Sequence, residues 1–238
     1  MPTQPIHTLP SKRFVGMISY TLAIALFAAI GIHAQQLREG ISVHMATTTN
    51  AQPVPAADED DAWVVTLTAD RRLYFGTKLL TPEGLSEQMK VTPRRRDQNL
   101  YIKADARAPY ADVRKVLEAA KEDAFNAPIL LTSQNEHVPA GTMVPAKGLE
   151  VVLNQPPAGS EPVVVKVQAG AQSPILTINN RLVRQESLKN TLNHLLQNQP
   201  EKIVTVEART QLPFAQLAQV VDTCRAAGAE VILPTPEL

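Results

Sequence analysis

Few of the side chains that could carry out catalysis or bind a metal are grouped together in this sequence. Three histidines are scattered, and none has a second ligand at a metal-binding spacing: His44, His137 and His194. The acidic run at 58–61 lacks the glycine and the spaced oxygens of a calcium loop, and it is typical of a solvated spacer. No serine–histidine–aspartate, paired-carboxylate or phosphate-loop spacing is found. We therefore predict no enzyme activity, no cofactor and no metal site.

Three further features limit the possible functions. The run at 94–96, three arginines, lies in a predicted helix-to-strand connection, where a solvated loop is favoured and contact with anionic lipid or peptidoglycan is the alternative. Cys224, the one cysteine, falls on the apolar face of a predicted helix and is predicted to be a core residue rather than a nucleophile. With 23 basic and 23 acidic residues and 4% aromatic residues, the chain shows no tendency to bind nucleic acid.

An apolar run at 14–34 predicts a single transmembrane helix. The run contains no Asp, Glu, Lys or Arg, and as a helix it would span about 30 Å, the thickness of a bilayer's hydrocarbon core. Lys12 and Arg13 precede it, so the positive-inside bias places the tail at 1–13 in the cytoplasm and the remaining chain outside the inner membrane. A signal peptide cleaved after the Ile-His-Ala at 32–34 is the alternative, although its apolar region would be longer than usual.

The rest of the chain carries one α/β pattern twice. Each copy begins with a short strand, at 40–45 or 148–153, and continues through a proline-rich spacer. In both copies three strands, a helix, a strand, a helix and a last strand follow. Turn residues at 76–77 (Gly-Thr) and 179–180 (Asn-Asn) join the second and third of these strands as hairpins.

This order of elements predicts the fold class and the domain bounds. Each copy is expected to form a small two-layer α/β domain of the α+β type, with both helices on one face of a mixed sheet. Prolines and a glycine between the copies interrupt any periodicity. We therefore predict a first repeat at 38–133, a linker at 134–147 and a second repeat at 148–238.

The most specific sequence element precedes the second helix of each copy. In the first copy it reads Ala104-Asp105-Ala106-Arg107-Ala108-Pro109-Tyr110. The second copy keeps Pro213 and Phe214 but has Arg209 at the position of the acid. The simplest interpretation is that the proline starts a helix and the ring is buried. The alternative is a contact with a partner, and its candidate residues are Asp105, Pro109, Tyr110, Arg209, Pro213 and Phe214.

With one predicted membrane helix, a proline-rich spacer and an Ala-Asp-x-x-x-Pro-Tyr stretch, the chain resembles the ExbD/TolR family over nearly its whole length. The resemblance implies an inner-membrane protein with a cytoplasmic N-terminus and periplasmic domains, which takes part in biopolymer transport driven by the proton gradient. It implies as partners an ExbB- or TolQ-like channel protein, membrane lipid, and a TonB- or TolA-like periplasmic protein or peptidoglycan.

The sequence departs from the family pattern in two ways. The family's membrane helix carries an acidic residue that takes up and releases the proton, whereas the run at 14–34 has none. Ser19, Tyr20 and Thr21 occupy the corresponding depth, and their hydroxyls do not titrate near neutral pH. The second departure is the doubling of the periplasmic domain.

Two functions are consistent with these observations. One is an accessory subunit of a transport complex that acts through protein contacts. The other is a periplasmic scaffold or cell-wall-binding protein, anchored or secreted, with no part in energy transduction.

The doubling likewise allows two arrangements. The copies could be independent, or they could form an intramolecular pseudo-dimer in which Asp105 faces Arg209. The strands at 40–45 and 148–153, each on a flexible spacer, could pair with a sheet edge or receive a partner strand.

Overall fold

The alternating strand patterns of the two copies fold into two mixed sheets in the computed structural model of this chain, which describes residues 40–95, 97–135, 144–157, 159–170 and 173–235. The strands within these ranges are β1 (Gln52–Pro53), β2 (Trp63–Leu67), β3 (Leu73–Phe75), β4 (Lys78–Leu80), β5 (Leu100–Ala104), β6 (Ile129–Thr132), β7 (Lys147–Glu150), β8 (Val163–Gln168), β9 (Ile175–Ile178), β10 (Arg181–Val183), β11 (Ile203–Ala208) and β12 (Glu230–Ile232). The α-helices are α1 (Pro82–Val91), α2 (Tyr110–Glu122), α3 (Gln185–Leu196) and α4 (Phe214–Ala226).

Both sheets combine parallel strands with an antiparallel hairpin. The first sheet has the order β1-β7-β6-β5-β2-β3-β4 and the second has the order β10-β9-β8-β11-β12. Strand β2 pairs in parallel with β5, and β8 pairs in parallel with β11, so each connection between them includes a helix. The predicted mixed α/β class is confirmed, with two sheets and four helices in the described part of the chain.

Two-residue turns set the registers of the two hairpins. Gly76 has a φ of +60°, which suits a glycine, and Phe75 pairs with Lys78 across the turn. In the second copy Asn179 and Asn180 have φ values of 47° and 66°, a left-handed conformation that asparagine tolerates better than most residues.

The helices pack on one face of each sheet. Val65 of β2, Leu85 of α1 and Val116 of α2 are buried in one hydrophobic cluster, which continues without a break to Val165 and Leu217 of the second copy. A smaller cluster on the opposite face of the first sheet joins strand residues to alanines of the first spacer: Tyr101, Ile129, Leu131, Ala57 and Ala62. The two copies therefore share one core.

The first spacer differs from the flexible segment that its composition predicts. It contains a 3₁₀ turn at Pro55–Asp58, and several of its alanines are buried: Ala46, Ala51, Ala57 and Ala62. Small side chains allow the backbone to lie close to the sheet, so an alanine- and proline-rich segment can cover a sheet face without forming a core of its own.

The acidic run inside this spacer is ordered by contacts with the same chain. The Asp58 carboxylate accepts a hydrogen bond from the Ala146 backbone N–H at 2.9 Å. Arg95 forms ion pairs with Glu59 at 3.1 Å and with Asp61 at 3.0 Å. These side chains remain about half exposed, so the run is solvated as predicted but does not form a free spacer.

The arginine run is likewise held by the chain itself. The Arg94 guanidinium lies 3.8 Å from the centre of the Phe125 ring and donates a hydrogen bond to the Asp123 carbonyl oxygen at 2.9 Å. Arg96 lies outside the described residues. The two described arginines are exposed and lie in a loop, as predicted, and their contacts tie this loop to other segments of the first copy.

Among the described residues, no helix is both long and apolar enough to cross a membrane. The predicted transmembrane helix at 14–34 lies outside the described residues, as do its polar positions Ser19, Tyr20 and Thr21.

Candidate partner-contact site at the junction of the two copies

The prolines predicted to start the second helix of each copy lie at those positions, and they meet at the junction. Pro109 is the N-cap residue of α2, with φ −64° and ψ 139°. Pro213 is the N-cap residue of α4, with φ −60° and ψ 138°. An antiparallel β-bridge joins the two prolines. The N-termini of the equivalent helices therefore lie next to each other.

Four backbone hydrogen bonds join the two copies beside these prolines. The bonds are Tyr110 N to Leu212 O at 2.8 Å, Phe214 N to Ala108 O at 2.8 Å, Ala111 N to Thr210 O at 2.9 Å, and Ala215 N to Ala106 O at 2.9 Å. They form two reciprocal pairs. In each pair, the same two positions are bonded, with the donor in the first copy in one bond and in the second copy in the other. The first N–H groups of a helix have no partner within the helix, and neither helix has a side-chain cap. Each copy thus caps the helix of the other.

The two rings that follow the prolines are core residues. Tyr110 is 3% exposed and Phe214 is fully buried, and both belong to the shared hydrophobic cluster. Burial raises the pKa of the Tyr110 hydroxyl to about 12, because the phenolate would lose its hydration. These rings therefore contact their own chain rather than solvent.

Asp105 fastens the first strand segment to the end of β5. Asp105 is only 2% exposed, and one of its carboxylate oxygens accepts a hydrogen bond from the His44 backbone N–H at 3.1 Å. The Arg107 guanidinium forms an ion pair with the other oxygen at 2.9 Å. Hydrogen bonds from Arg107 and from backbone N–H groups hold the pKa of Asp105 at about 2, below its usual range.

Arg209 has a different environment from Asp105, although the two positions are equivalent. It is exposed, and its backbone N–H donates a hydrogen bond to the Val167 carbonyl oxygen at 3.1 Å. In the described part of the chain, no carboxylate lies within ion-pair distance of Arg209. The ionic partner of Asp105 is Arg107 in its own copy, so the expected pairing of Asp105 with Arg209 is wrong.

A second buried carboxylate, Asp222 of α4, holds the first spacer against the second copy. Its oxygens accept hydrogen bonds from the Thr49 N–H at 3.0 Å, the Asn50 N–H at 2.9 Å and the Asn50 side-chain amide at 2.9 Å. Asp222 is 5% exposed. It thereby joins the N-terminal segment of one copy to a helix of the other.

Sequence reasoning did not identify Asp222 as a site residue. One signal was available, because Asp222 lies next to Val221 and two residues before Cys224, both of which lie on the apolar face of this helix. A carboxylate among buried apolar residues requires hydrogen-bond donors. The sequence could not indicate that Thr49 and Asn50 supply them.

The segment at 147–153 connects the two sheets. As β7 it pairs antiparallel with β6 of the first copy, with Leu149 opposite Leu130. Two residues after the end of β7, Val152 forms a parallel bridge with Ile232 of the second copy. The opening strand of the second copy therefore belongs to both.

The described residues contain no cluster of three or more His, Cys, Asp or Glu side chains that could hold a metal ion. Cys224 is fully buried, and burial raises the pKa of its thiol to about 12, so the thiolate is disfavoured. His137, one of the scattered histidines, lies outside the described residues.

The chain matches the family model described as Biopolymer transport protein ExbD/TolR twice, over residues 17–135 and 138–237. None of the curated proteins with which it was compared matches it. The two matches correspond to the two copies, so the family pattern itself is duplicated.

Proposed function

This chain belongs to the ExbD/TolR family of biopolymer transport proteins, and we propose that it is an accessory subunit of a transport complex in the bacterial inner membrane. The family supports a role in transport. The proposal adds coupling of the complex to the proton gradient and contacts with a TonB- or TolA-like periplasmic protein. It assigns the chain no catalytic chemistry and no cofactor.

The proposed organisation follows the predicted bounds. A cytoplasmic tail at 1–13 and a transmembrane helix at 14–34 precede two periplasmic repeats at 38–133 and 148–238, joined by a linker at 134–147. In the membrane helix, Ser19, Tyr20 and Thr21 would contact a neighbouring helix rather than carry protons. Protons would then be carried by another subunit, because the run contains no acidic residue.

The observation that carries the proposal is the reciprocal capping of α2 and α4 at Pro109 and Pro213. Self-complementary contacts of this kind are typical of a two-fold dimer interface. We propose that the two repeats form an intramolecular pseudo-dimer, with Tyr110 and Phe214 stabilising the junction. One chain would then supply both domains of the pair to the complex.

A periplasmic scaffold or cell-wall-binding protein, anchored or secreted, is the alternative function. The absence of an acid from the apolar run favours it, since a chain without a proton-carrying group needs no channel partner.

Co-purification of the full-length protein from detergent extracts distinguishes these functions. The transport role predicts that an ExbB- or TolQ-like channel protein is retained in stoichiometric amount, and Phe214→Ala is expected to reduce retention by disturbing the junction. Leu195→Ala, on the exposed side of α3, is the matched control. Recovery of peptidoglycan fragments without any channel protein would support the scaffold instead.

A further inference from the structure

The two outer hairpin strands, β4 and β10, each have one edge without a strand partner among the described residues. They are the terminal strands of their sheets, and they are equivalent in the two copies. Two segments were predicted as strands that pair with a sheet edge or receive a partner. The segment at 148–153 pairs with the chain's own β6 through β7, whereas 40–45 is not a strand and forms only a bridge from Met45 to Asp105. The free edges therefore lie at the far end of each sheet from the junction.

Hairpin geometry directs the backbone groups of one residue on each edge away from the sheet. The pair that closes a two-residue turn is hydrogen-bonded, and the next pair is not. Lys78 and Arg181 are in the closing pairs, so Leu79 and Leu182 are in the following ones, opposite Tyr74 and Thr177. The N–H and C=O groups of both leucines therefore point outward, where a strand could pair with them.

The side chains of these edges are also alike in the two copies. Leu79 is 58% exposed and Leu182 is 77% exposed, and both lie on the sheet face opposite the helices. Because strand residues alternate, Lys78 and Arg181 project to the other face. In the described part of the chain no carboxylate lies within ion-pair distance of either cation. Each edge thus offers an apolar side chain on one face and a positive charge on the other.

We propose that β4 and β10 each bind an extended segment of a partner protein in which acidic and apolar residues alternate. Such a segment adds a strand to the sheet through the outward backbone groups. Its apolar residues then lie beside the exposed leucine, and its acidic residues lie beside the cation. Antiparallel pairing between two copies of this chain lacks this charge complementarity, because it would place Leu80 or Val183, and no acidic residue, opposite each cation. The inference rests on the proposed role through protein contacts and specifies the kind of segment contacted.

The test uses the full-length protein in detergent and two defined peptides. The probe is an acetylated, amidated octapeptide of alternating glutamate and valine, and the matched control replaces each glutamate by lysine. Isothermal titration at low salt is expected to show saturable binding of the glutamate peptide at two sites per chain. The lysine peptide is expected to bind at least tenfold more weakly. Equal affinity for the two peptides, or no binding of the glutamate peptide, would overturn the proposal.

Variants locate the sites. Proline at 79 and 182 removes the outward N–H but leaves the hairpin bonds intact, since proline is tolerated on edge strands. The double variant Leu79→Pro/Leu182→Pro is expected to weaken binding at least tenfold relative to the matched Leu79→Ala/Leu182→Ala. Unchanged affinity in the proline variant contradicts the proposal.

A second variant does not depend on tolerance of proline. Lys78→Glu/Arg181→Glu is expected to prefer the lysine peptide, and retention of the original preference would also contradict the proposal. No channel protein is present in this experiment, so its failure leaves the co-purification result unaffected.

Discussion

The two copies share one order of elements but differ in what covers the sheet face opposite the helices. In the first copy Thr66 of β2 is 2% exposed, and Ala57 and Ala62 of the 46–62 spacer pack beside its sheet. Its equivalent in the second copy is Lys166, whose side chain is 43% exposed and forms an ion pair with Glu207 at 3.6 Å. The second spacer, at 154–162, is shorter and its described residues are exposed or half-buried. At its central strands, the first sheet is therefore partly covered on the face opposite the helices, whereas the same face of the second sheet is more open.

The burial patterns of the equivalent strands β2 and β8 reflect this difference. Along β8, buried residues alternate with half-buried ones: Val163, Val165 and Val167 with Val164, Lys166 and Gln168. Along β2 the alternation is lost, because Thr66 is buried between Val65 and Leu67. Strict alternation is typical of a sheet with one solvated face, and continuous burial is typical of a sheet covered on both. The covering segment thus determined which polar residues each strand could carry.

The largest effect that we expect tests whether the copies unfold as one unit. Phe214→Ala removes a fully buried ring from the second copy and should lower the free energy of unfolding by about 3–5 kcal/mol. Trp63, the one tryptophan, lies in the first copy. In urea denaturation of residues 39–238, which form one compact unit, Trp63 fluorescence and far-ultraviolet circular dichroism are expected to shift together.

The control for this experiment is Leu182→Ala, at a 77% exposed position, which should change the free energy of unfolding by less than about 0.5 kcal/mol. A Trp63 transition that stays at its original midpoint in Phe214→Ala, while the circular dichroism becomes biphasic, would mean that the copies are independent.

A smaller effect is expected from the carboxylate that joins the first spacer to the second copy. Asp222→Ala leaves the Thr49 and Asn50 N–H groups without their acceptor, and it should cost about 2–3 kcal/mol. Its equivalent in the first copy, Glu118, forms only a partly exposed pair with Arg114 at 3.3 Å, so Glu118→Ala should cost about 0.5 kcal/mol or less. Equal losses in the two variants, measured by urea denaturation, would contradict the role of Asp222.

The Asp105 carboxylate is expected to make the free energy of unfolding depend on pH, whereas Arg209, at the equivalent position, is not. Its pKa is lowered from 3.8 to about 2 by the hydrogen bonds from Arg107, so its contribution is fully present above pH 3.8 and is lost as the pH falls through about 2. The difference between the two pKa values corresponds to about 2 kcal/mol.

Urea denaturation at several pH values measures this contribution. Between roughly pH 5 and pH 2, the wild-type protein should lose about 2 kcal/mol more stability than Asp105→Asn. Arg209→Ala should follow the wild-type profile. Parallel profiles for the wild type and Asp105→Asn would show that the carboxylate is not stabilised in the folded state.

The smallest effect is expected on the open sheet face of the second copy. Lys166→Ala removes a half-exposed ion pair and should change the free energy of unfolding by less than about 0.5 kcal/mol. A loss above about 1 kcal/mol in the same urea experiment would indicate that this face is covered, and would remove the contrast between the copies.

The local elements were predictable because their signals lie within a few residues of each other. The first helix predicted in the second copy is observed as α3 at Gln185–Leu196, with Leu188, Leu192 and Leu196 buried at helical spacing. Both hairpins form at the predicted turns, where the residue types match the left-handed backbone conformation. The burial of Tyr110 and Phe214, the simpler of the two interpretations offered for these rings, also followed from helical periodicity.

The contacts between the copies were not predictable in the same way. The Ala-Pro-Asp composition of the first spacer indicated only that it could form no core of its own, and not that it would cover a sheet. Because Asp105 and Arg209 occupy equivalent positions in the two copies, the sequence suggested an ion pair between them. The Asp105 carboxylate instead pairs with Arg107, two residues away.

The sequence by itself determined the duplicated order of strands and helices, the hairpin turns and the apolar faces, because periodicity and turn chemistry are local properties of the chain. Only the tertiary structure decided that α2 and α4 cap each other and that Asp222 holds the first spacer. It also decided that the opening strand of the second copy joins the first sheet, and that Val152, just after it, bridges to Ile232 of the second. The physical reason is that a buried N–H or carboxylate requires some partner, and the sequence states this requirement without stating which distant residue meets it.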